Sequence, residues 1–311
     1  VWETSRGAIE HTGALIDGYY LALAWSGTLA SAAGSLVGMF GLMKARNVDE
    51  GVLAAREVTI SGNWLLADRR GRIAYQQSGA LPDRSHSGLF PLCAWRADTA
   101  WNGLIATSRL SCIKDPPSGV LVTANNDLDQ PGFAAAVNLP MASYRADRIR
   151  QLLDSGKPLD IDAMKRFQRD LFSVQVARVM AVITPLLPDT AAAAVLRGWD
   201  SCYDADSVGA ALFERVYAAI LREVFGRCFL GLRAWDAMNR DSGIVVDYSG
   251  VLDDVLLGPD DPVWFGPVGR AALLTPVLAR ELDNPPLPHW GELRQVDMTH
   301  VLLGGLLPKV A

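Results

Sequence analysis

The spacing of apolar and polar positions predicts most of the elements of this chain. From Gly18 to Met43 no residue is charged, and Leu21–Met43 has the length of a bilayer span. Ser26-Gly27-Thr28 interrupts that run as a turn. The pattern therefore predicts a strand over Tyr19–Trp25 and a helix over Thr28–Ala45, both buried in a globular core, and no membrane span. Gly34 and Gly38 have the small-residue spacing that lets helices approach closely. Downstream, Asn63–Asp68 and Ile73–Tyr75 flank Arg69-Arg-Gly-Arg72, which predicts a hairpin. Gly119–Ala124 predicts an apolar strand ending at Asn125-Asn126, after an irregular stretch punctuated by Pro82, Pro91, Pro116 and Pro117.

The period then becomes helical. Ala146–Asp154 carries Ile149, Leu152 and Leu153 on one side and is broken by Gly156-Lys-Pro158. Asp160 or Asp162 caps a next helix, expected to run to Leu187 with Met164, Phe167, Leu171, Val174 and Val179 at helical spacing. Val208–Phe225 aligns Leu212, Val216, Ile220 and Val224 on one face, and Pro267–Asp283 predicts a further helix between proline-rich loops. This organisation divides the chain into a strand-rich region 1–140, a helical region 141–235 and a mixed region 236–311.

Composition narrows the class. The chain has 311 residues, is 50% hydrophobic and 20% charged, and has a formal charge of −5. That balance excludes a disordered chain and argues against a nucleic-acid partner, which calls for a basic footprint. Cys93, Cys112, Cys202 and Cys228 form no C-x-x-C pair, which argues against zinc. They are expected mostly as buried small hydrophobes, with disulfides as the alternative in an oxidising compartment. No phosphate loop, zinc helix or Gly-x-Ser-x-Gly elbow is present, and His11, His86, His289 and His300 are scattered. The Asn125-Asn126 pair has two readings: a turn after the strand, or an amide donor to a developing oxyanion at a strand end.

An ordered series of motifs bears on that choice. Asn63-Trp-Leu-Leu-Ala-Asp-Arg-Arg-Gly-Arg-Ile-Ala-Tyr75 is followed by Gly79-Ala-Leu-Pro-Asp-Arg84, Trp101-Asn-Gly103, Asp115-Pro-Pro-Ser-Gly119 and Thr123-Ala-Asn-Asn126. Arg145-Ala-Asp-Arg-Ile149, Gln168-Arg-Asp170 with Ser173, Asp206-Ser207 and Trp290-Gly-Glu-Leu293 continue it. The series resembles the β subunit of the penicillin acylases, within the N-terminal-nucleophile hydrolases. The resemblance implies an α+β fold, part of an αββα four-layer sandwich with an added helical region. It implies an acylase that cleaves an acyl chain from an amine. β-Lactam side chains, acyl-homoserine lactones and acylated peptides are the substrate classes, and a non-catalytic acyl-binding member is the alternative. In the family the nucleophile opens the β subunit after self-cleavage, and its own α-amino group, with an ordinary pKa of ~7.7–8.0, serves as base.

The resemblance also assigns residues. It makes Asn125 the oxyanion-hole asparagine and Arg148 the arginine that orients the site, with Arg145 as rival. It places Met39 and Gly62 at substrate-pocket positions, a flexible apolar side chain and an enlarging gap, with plain core packing as the other reading of Met39. No cofactor and no metal are implied for the chemistry. The structural calcium of some members lacks an acidic ligand in Pro131–Pro140. The implied partners are a small acyl amide and an α subunit from the same precursor, with no membrane span, in a periplasmic or secreted protein. Val1-Trp-Glu-Thr-Ser-Arg-Gly7 resembles an internal segment of the family, and the chain opens without Met. It therefore reads as an interior fragment of the β subunit whose nucleophile lies upstream, inactive when isolated.

Overall fold

The computed structural model describes residues 3–9, 20–86, 90–127, 141–154, 156, 159–241, 249–284 and 288–295. It is α+β and divides into two compact units, Val1–Met141 and Ala142–Ala311.

The first unit holds two three-stranded antiparallel sheets among its described residues. One pairs β1 (Glu3–Thr4), β2 (Gly7–Ile9) and β3 (Ala22–Leu23) in that order. Two helices follow, α1 (Ala32–Lys44) and α2 (Val48–Arg56), each opened by a side-chain cap, Ser31 on the Gly34 N–H and Asn47 on the Glu50 N–H. The predicted hairpin forms as β4 (Gly62–Ala67) against β5 (Ile73–Ser78), with Leu65 opposite Tyr75, and β6 (Cys112–Lys114) lies on the other side of β5. Its turn works because Gly71 takes φ +82° and the Asp68 carboxylate accepts from the Arg70 and Arg72 N–H groups. α2 buries Val48 and Val52 against Ala74, Leu66 and Cys112. At its first turn Asp49 binds Arg72 and Lys114, and Arg72 also binds Asp115 at 2.9 Å, so ion pairs tie helix to sheet at the surface.

The expected burial of the charge-free run is not observed. Only Ala22–Leu23 is strand within the described part of it. Leu21, Leu23, Trp25, Leu36, Val37, Phe40 and Met43 are exposed. The reason is the stripe through which α1 packs. Ser35 is buried and bonds Thr59 at 2.6 Å, while Gly38 abuts the α2 C-terminus. This narrow contact of small residues leaves the larger apolar side chains on other faces of α1 outside it. No described helix is long and apolar enough to cross a membrane. Gly119–Ala124 is likewise not a strand: no described segment pairs with it, and a strand needs a ladder partner.

The second unit is helical: α3 (Tyr144–Leu153), α4 (Ile161–Phe167), α5 (Val174–Ile183), α6 (Ala191–Gly198), α7 (Val208–Leu221), α8 (Leu232–Asp241), α9 (Ser249–Leu257), α10 (Pro262–Phe265), α11 (Gly269–Leu282) and α12 (Trp290–Leu293). α7 runs on into a π-helical segment, Arg222–Leu230. Leu212, Val216, Ile220 and Val224 are buried as their spacing predicts, in one core with Val179, Ile183, Leu196, Leu274 and Leu278. The single helix expected from Asp160 to Leu187 is instead two, followed by a 3₁₀ turn. Residues 171–173 pair with 201–203: Ser173 N–H donates to Ser201 C=O at 2.9 Å and Tyr203 N–H to Leu171 C=O at 3.0 Å. Backbone groups committed to that pairing are withdrawn from a helix, and Ser173 then caps α5.

All four cysteines are free, and none is buried. The expectation of buried cysteines is corrected. Cys112 and Cys202 are half-buried at the margins of packed elements, and Cys93 and Cys228 are exposed.

The tight α1–α2 contact is testable at its two glycines. A Cβ on Gly38 would lie 2.9 Å from the backbone of Ala54 and Val58, whereas one on Gly34 would have its nearest neighbour at 3.7 Å. Overpacking costs about 1–3 kcal/mol and outweighs the gain of about 1 kcal/mol from replacing a helical glycine. Gly38→Ala is therefore expected to lower, and Gly34→Ala to keep or raise, the urea midpoint. Equal shifts at both positions reject the packing described.

Candidate active site

Ala124 is buried and Asn125 exposed where the 119–124 segment turns. Asn125 sits at φ +65°, a left-handed conformation that asparagine tolerates better than other side-chain-bearing residues. Its carbonyl accepts from the Met141 N–H at 2.8 Å. Asn126 closes the turn: its Oδ1 accepts from the Ala124 N–H at 3.1 Å, and its Nδ2 donates to the Asp127 carbonyl. The two readings of the pair are thus compatible. Asn126 makes the turn, and the turn sets the backbone that carries the Asn125 amide.

Arg148 belongs to the other unit, on α3. Its Nε and Nη2 donate to the two oxygens of Asp170 at 2.8 and 2.7 Å, a planar two-pronged pair. A third donor, Nη1, reaches Gln151, and the guanidinium lies 4.5 Å from the Phe172 ring centre. Hydrogen bonding to Asp170 raises the Arg148 pKa above its ordinary value, against the opposing effect of partial burial. Asp170 is available for this because the chain between α4 and α5 is not helical. Arg148, Arg145, Asp170 and Phe172 border an open cleft of about 540 Å³. Its apolar side carries Ile149, Leu152 and Phe167, and Tyr144, Gln175 and Tyr203 supply polar groups. Arg145 is exposed.

Beneath this cleft lies a residue that the sequence reading passed over. Asp253, on α9, has 0% of its surface exposed. It accepts from Gln175 Nε2 at 2.6 Å and from the Tyr217 hydroxyl at 2.7 Å, and the Tyr144 hydroxyl lies beside its charge. Burial, and then the Asp253 charge, push the Tyr144 and Tyr217 hydroxyls well above the usual tyrosine range, so both remain donors. The available signal was an aspartate in Val251-Leu-Asp-Asp-Val-Leu-Leu257, one helical turn from the buried Leu256.

The remaining sequence-derived residues are not drawn together. Met39 stands on α1, 36% exposed. Gly62 opens β4 opposite Ser78, and the space a Cβ would take lies 3.3 Å from Ser78 Oγ, which itself accepts from Trp64 Nε1. That gap is lined by polar atoms of its own sheet. Neither residue borders the cleft of about 550 Å³ around Asn47, Leu66 and Arg70. His289 caps α12, and His86 bonds the Thr99 carbonyl. Among the described residues no group of His, Cys, Asp or Glu is arranged to hold a metal ion. His11, His300 and Pro131–Pro140 lie outside the described residues.

Relatives with established names share this sequence pattern. The acyl-homoserine lactone acylase QuiP of Pseudomonas aeruginosa is 29% identical over 265 residues, 78% of this chain and 31% of that protein. The penicillin acylase 2 proenzyme of Pseudomonas sp. (strain SE83) is 28% identical over 240 residues, 74% of this chain and 28% of its own length. The chain thus spans about a third of the curated relatives it matches. A thermostable penicillin G acylase from Alcaligenes faecalis shares the fold, with a TM-score of 0.62 and 18% identity over 80% of this chain and 51% of that one. The penicillin amidase family model matches residues 1–310. With that match covering all but one residue, this chain belongs to the penicillin amidase family.

Proposed function

We propose that this chain is part of an amide-bond hydrolase that releases an acyl chain from an amine. The observation that carries the reading is the family match over residues 1–310. Asn125 is the oxyanion donor in this reading: a side-chain amide N–H can donate to the charge that develops on the acyl oxygen as the carbonyl becomes tetrahedral. Arg148, held by Asp170, is the orienting arginine in this reading, through its fixed planar donors. No residue of this chain is assigned the nucleophile's role.

The substrates follow from the relatives' names: N-acyl-homoserine lactones and acylated β-lactams. Met39 and Gly62 as pocket positions, an α subunit partner, a four-layer sandwich in the whole protein, and a periplasmic or secreted location belong to the same reading and rest on the family resemblance.

The experiment is release of free amine by the full-length protein from a panel of N-acyl-homoserine lactones and penicillins. Turnover of at least one class is expected, and turnover of neither rejects the assignment. In the active protein, Asn125→Ala is expected to lower kcat by about 10²–10³-fold, the range for loss of one oxyanion donor, with the circular dichroism spectrum unchanged. An unaltered kcat removes Asn125 from that role. The choice between the two arginines is also open to measurement. Arg148→Lys replaces the planar fork by a point charge and is expected to cut kcat/KM at least about tenfold, while Arg145→Lys stays within about twofold. The reverse ranking would transfer the role to Arg145.

A further inference from the structure

Two pieces of chain hold Arg148, and one buried group holds both of them. α3 presents Arg148 one helical turn beyond Tyr144, on the same face. Asp170, the carboxylate that binds Arg148, stands just before α5, whose first turn carries Gln175. Tyr144 and Gln175 border the same cleft as Arg148; Gln175 donates to Asp253 at 2.6 Å, and the Tyr144 hydroxyl lies beside the Asp253 charge. Gln175 takes Asp253 Oδ2, and Tyr217 of α7 donates to Oδ1. Asp253 is fully buried and does not border the cleft. A carboxylate in such a place is retained only if its donors stay put, so the helices that supply them are held at fixed separation.

We propose that Asp253 is a positioning residue for Arg148: it pins the start of α3 against the start of α5 and so sets where the guanidinium sits in the cleft. The kinetic side of this rests on the acylase reading, and the geometric side does not. Asparagine is a discriminating replacement. It keeps the volume of aspartate but presents an NH₂ group where the carboxylate presents a second acceptor, so either Gln175 or Tyr217 faces a donor in place of its acceptor.

The test uses the full-length protein with Asp253→Asn, Arg148→Lys and the two combined. Asp253→Asn alone is expected to lower kcat about tenfold with KM within about twofold, and to lower it less than about twofold once Arg148→Lys is present, because residues acting through one another are non-additive. The same factor in both backgrounds, or an unchanged kcat, overturns the proposal. Should Asp253→Asn fail to fold, Tyr144→Phe removes the hydroxyl beside Asp253 and keeps the ring. A smaller but equally non-additive loss is then expected, and an additive loss or none overturns the proposal. If the unaltered protein hydrolyses no acyl amide, the acylase reading fails, and amide hydrogen exchange decides the positioning by itself. In the variant that folds, Asp253→Asn or Tyr144→Phe, exchange over 144–148 is expected to rise at least about tenfold while the α7 core keeps its rate. Unchanged exchange over 144–148 overturns the proposal.

Discussion

A carboxylate taken wholly out of water needs hydrogen-bond donors around it, and Asp253 is in that position. The groups around it come from residues far apart in the chain: Gln175 in the first turn of α5 and Tyr217 within α7 donate to it, and the Tyr144 hydroxyl at the start of α3 lies beside its charge. Each donor is useful only in one geometry. The requirement to satisfy a single buried acid therefore becomes a constraint on four helices, counting its own, α9. Apolar packing around Val179, Phe213 and Val216 supplies the bulk of the driving force, but it tolerates small slips that a directional hydrogen bond does not.

The cleft above Asp253 inherits that constraint. Arg148 and Asp170 meet because α3 and the link between α4 and α5 are held close, and because residues 171–173 of that link pair with 201–203 instead of continuing a helix. A continuous helix through 171–173 would spend those backbone groups internally. Pairing with 201–203 instead frees the segment to carry Asp170 toward Arg148 and Phe172 beneath the guanidinium. An apparent defect in a helix is thus what builds the site's polar end.

The first unit solves a different problem. Asn125 is presented by a turn whose hydrogen bonds are made by its neighbour, Asn126, so the residue in the left-handed conformation need not also close the turn. The sheet that precedes it is assembled by local means: a glycine at positive φ, an aspartate that accepts from the turn backbone, and ion pairs across to α2. Exposed pairs of this kind add little stability each, and the burial of Val48, Val52 and Ala74 does more.

Local signals decided what is local. The hairpin, the helix start with Asp160 as one of its two candidate caps, and the buried face of α7 were legible because turn chemistry and the 3.6-residue period act within a few neighbouring positions. The motif order carried the family, and with it Asn125 and Arg148 as the residues to examine. What the sequence could not display was every feature that depends on a distant partner. Helical spacing ran unbroken through Leu171, yet residues 201–203 captured that backbone. The apolar run before Lys44 looked like core, yet its small-residue stripe made the contact and left its large side chains exposed. Gly119–Ala124 had the composition of a strand but no partner among the described residues. Asp253 read as one more acid, because its meaning lies in groups that α3, α5 and α7 bring around it. Propensity and period are properties of a segment, whereas ladder partners, burial and the satisfaction of a buried charge are properties of pairs. Only the tertiary structure brings those pairs together.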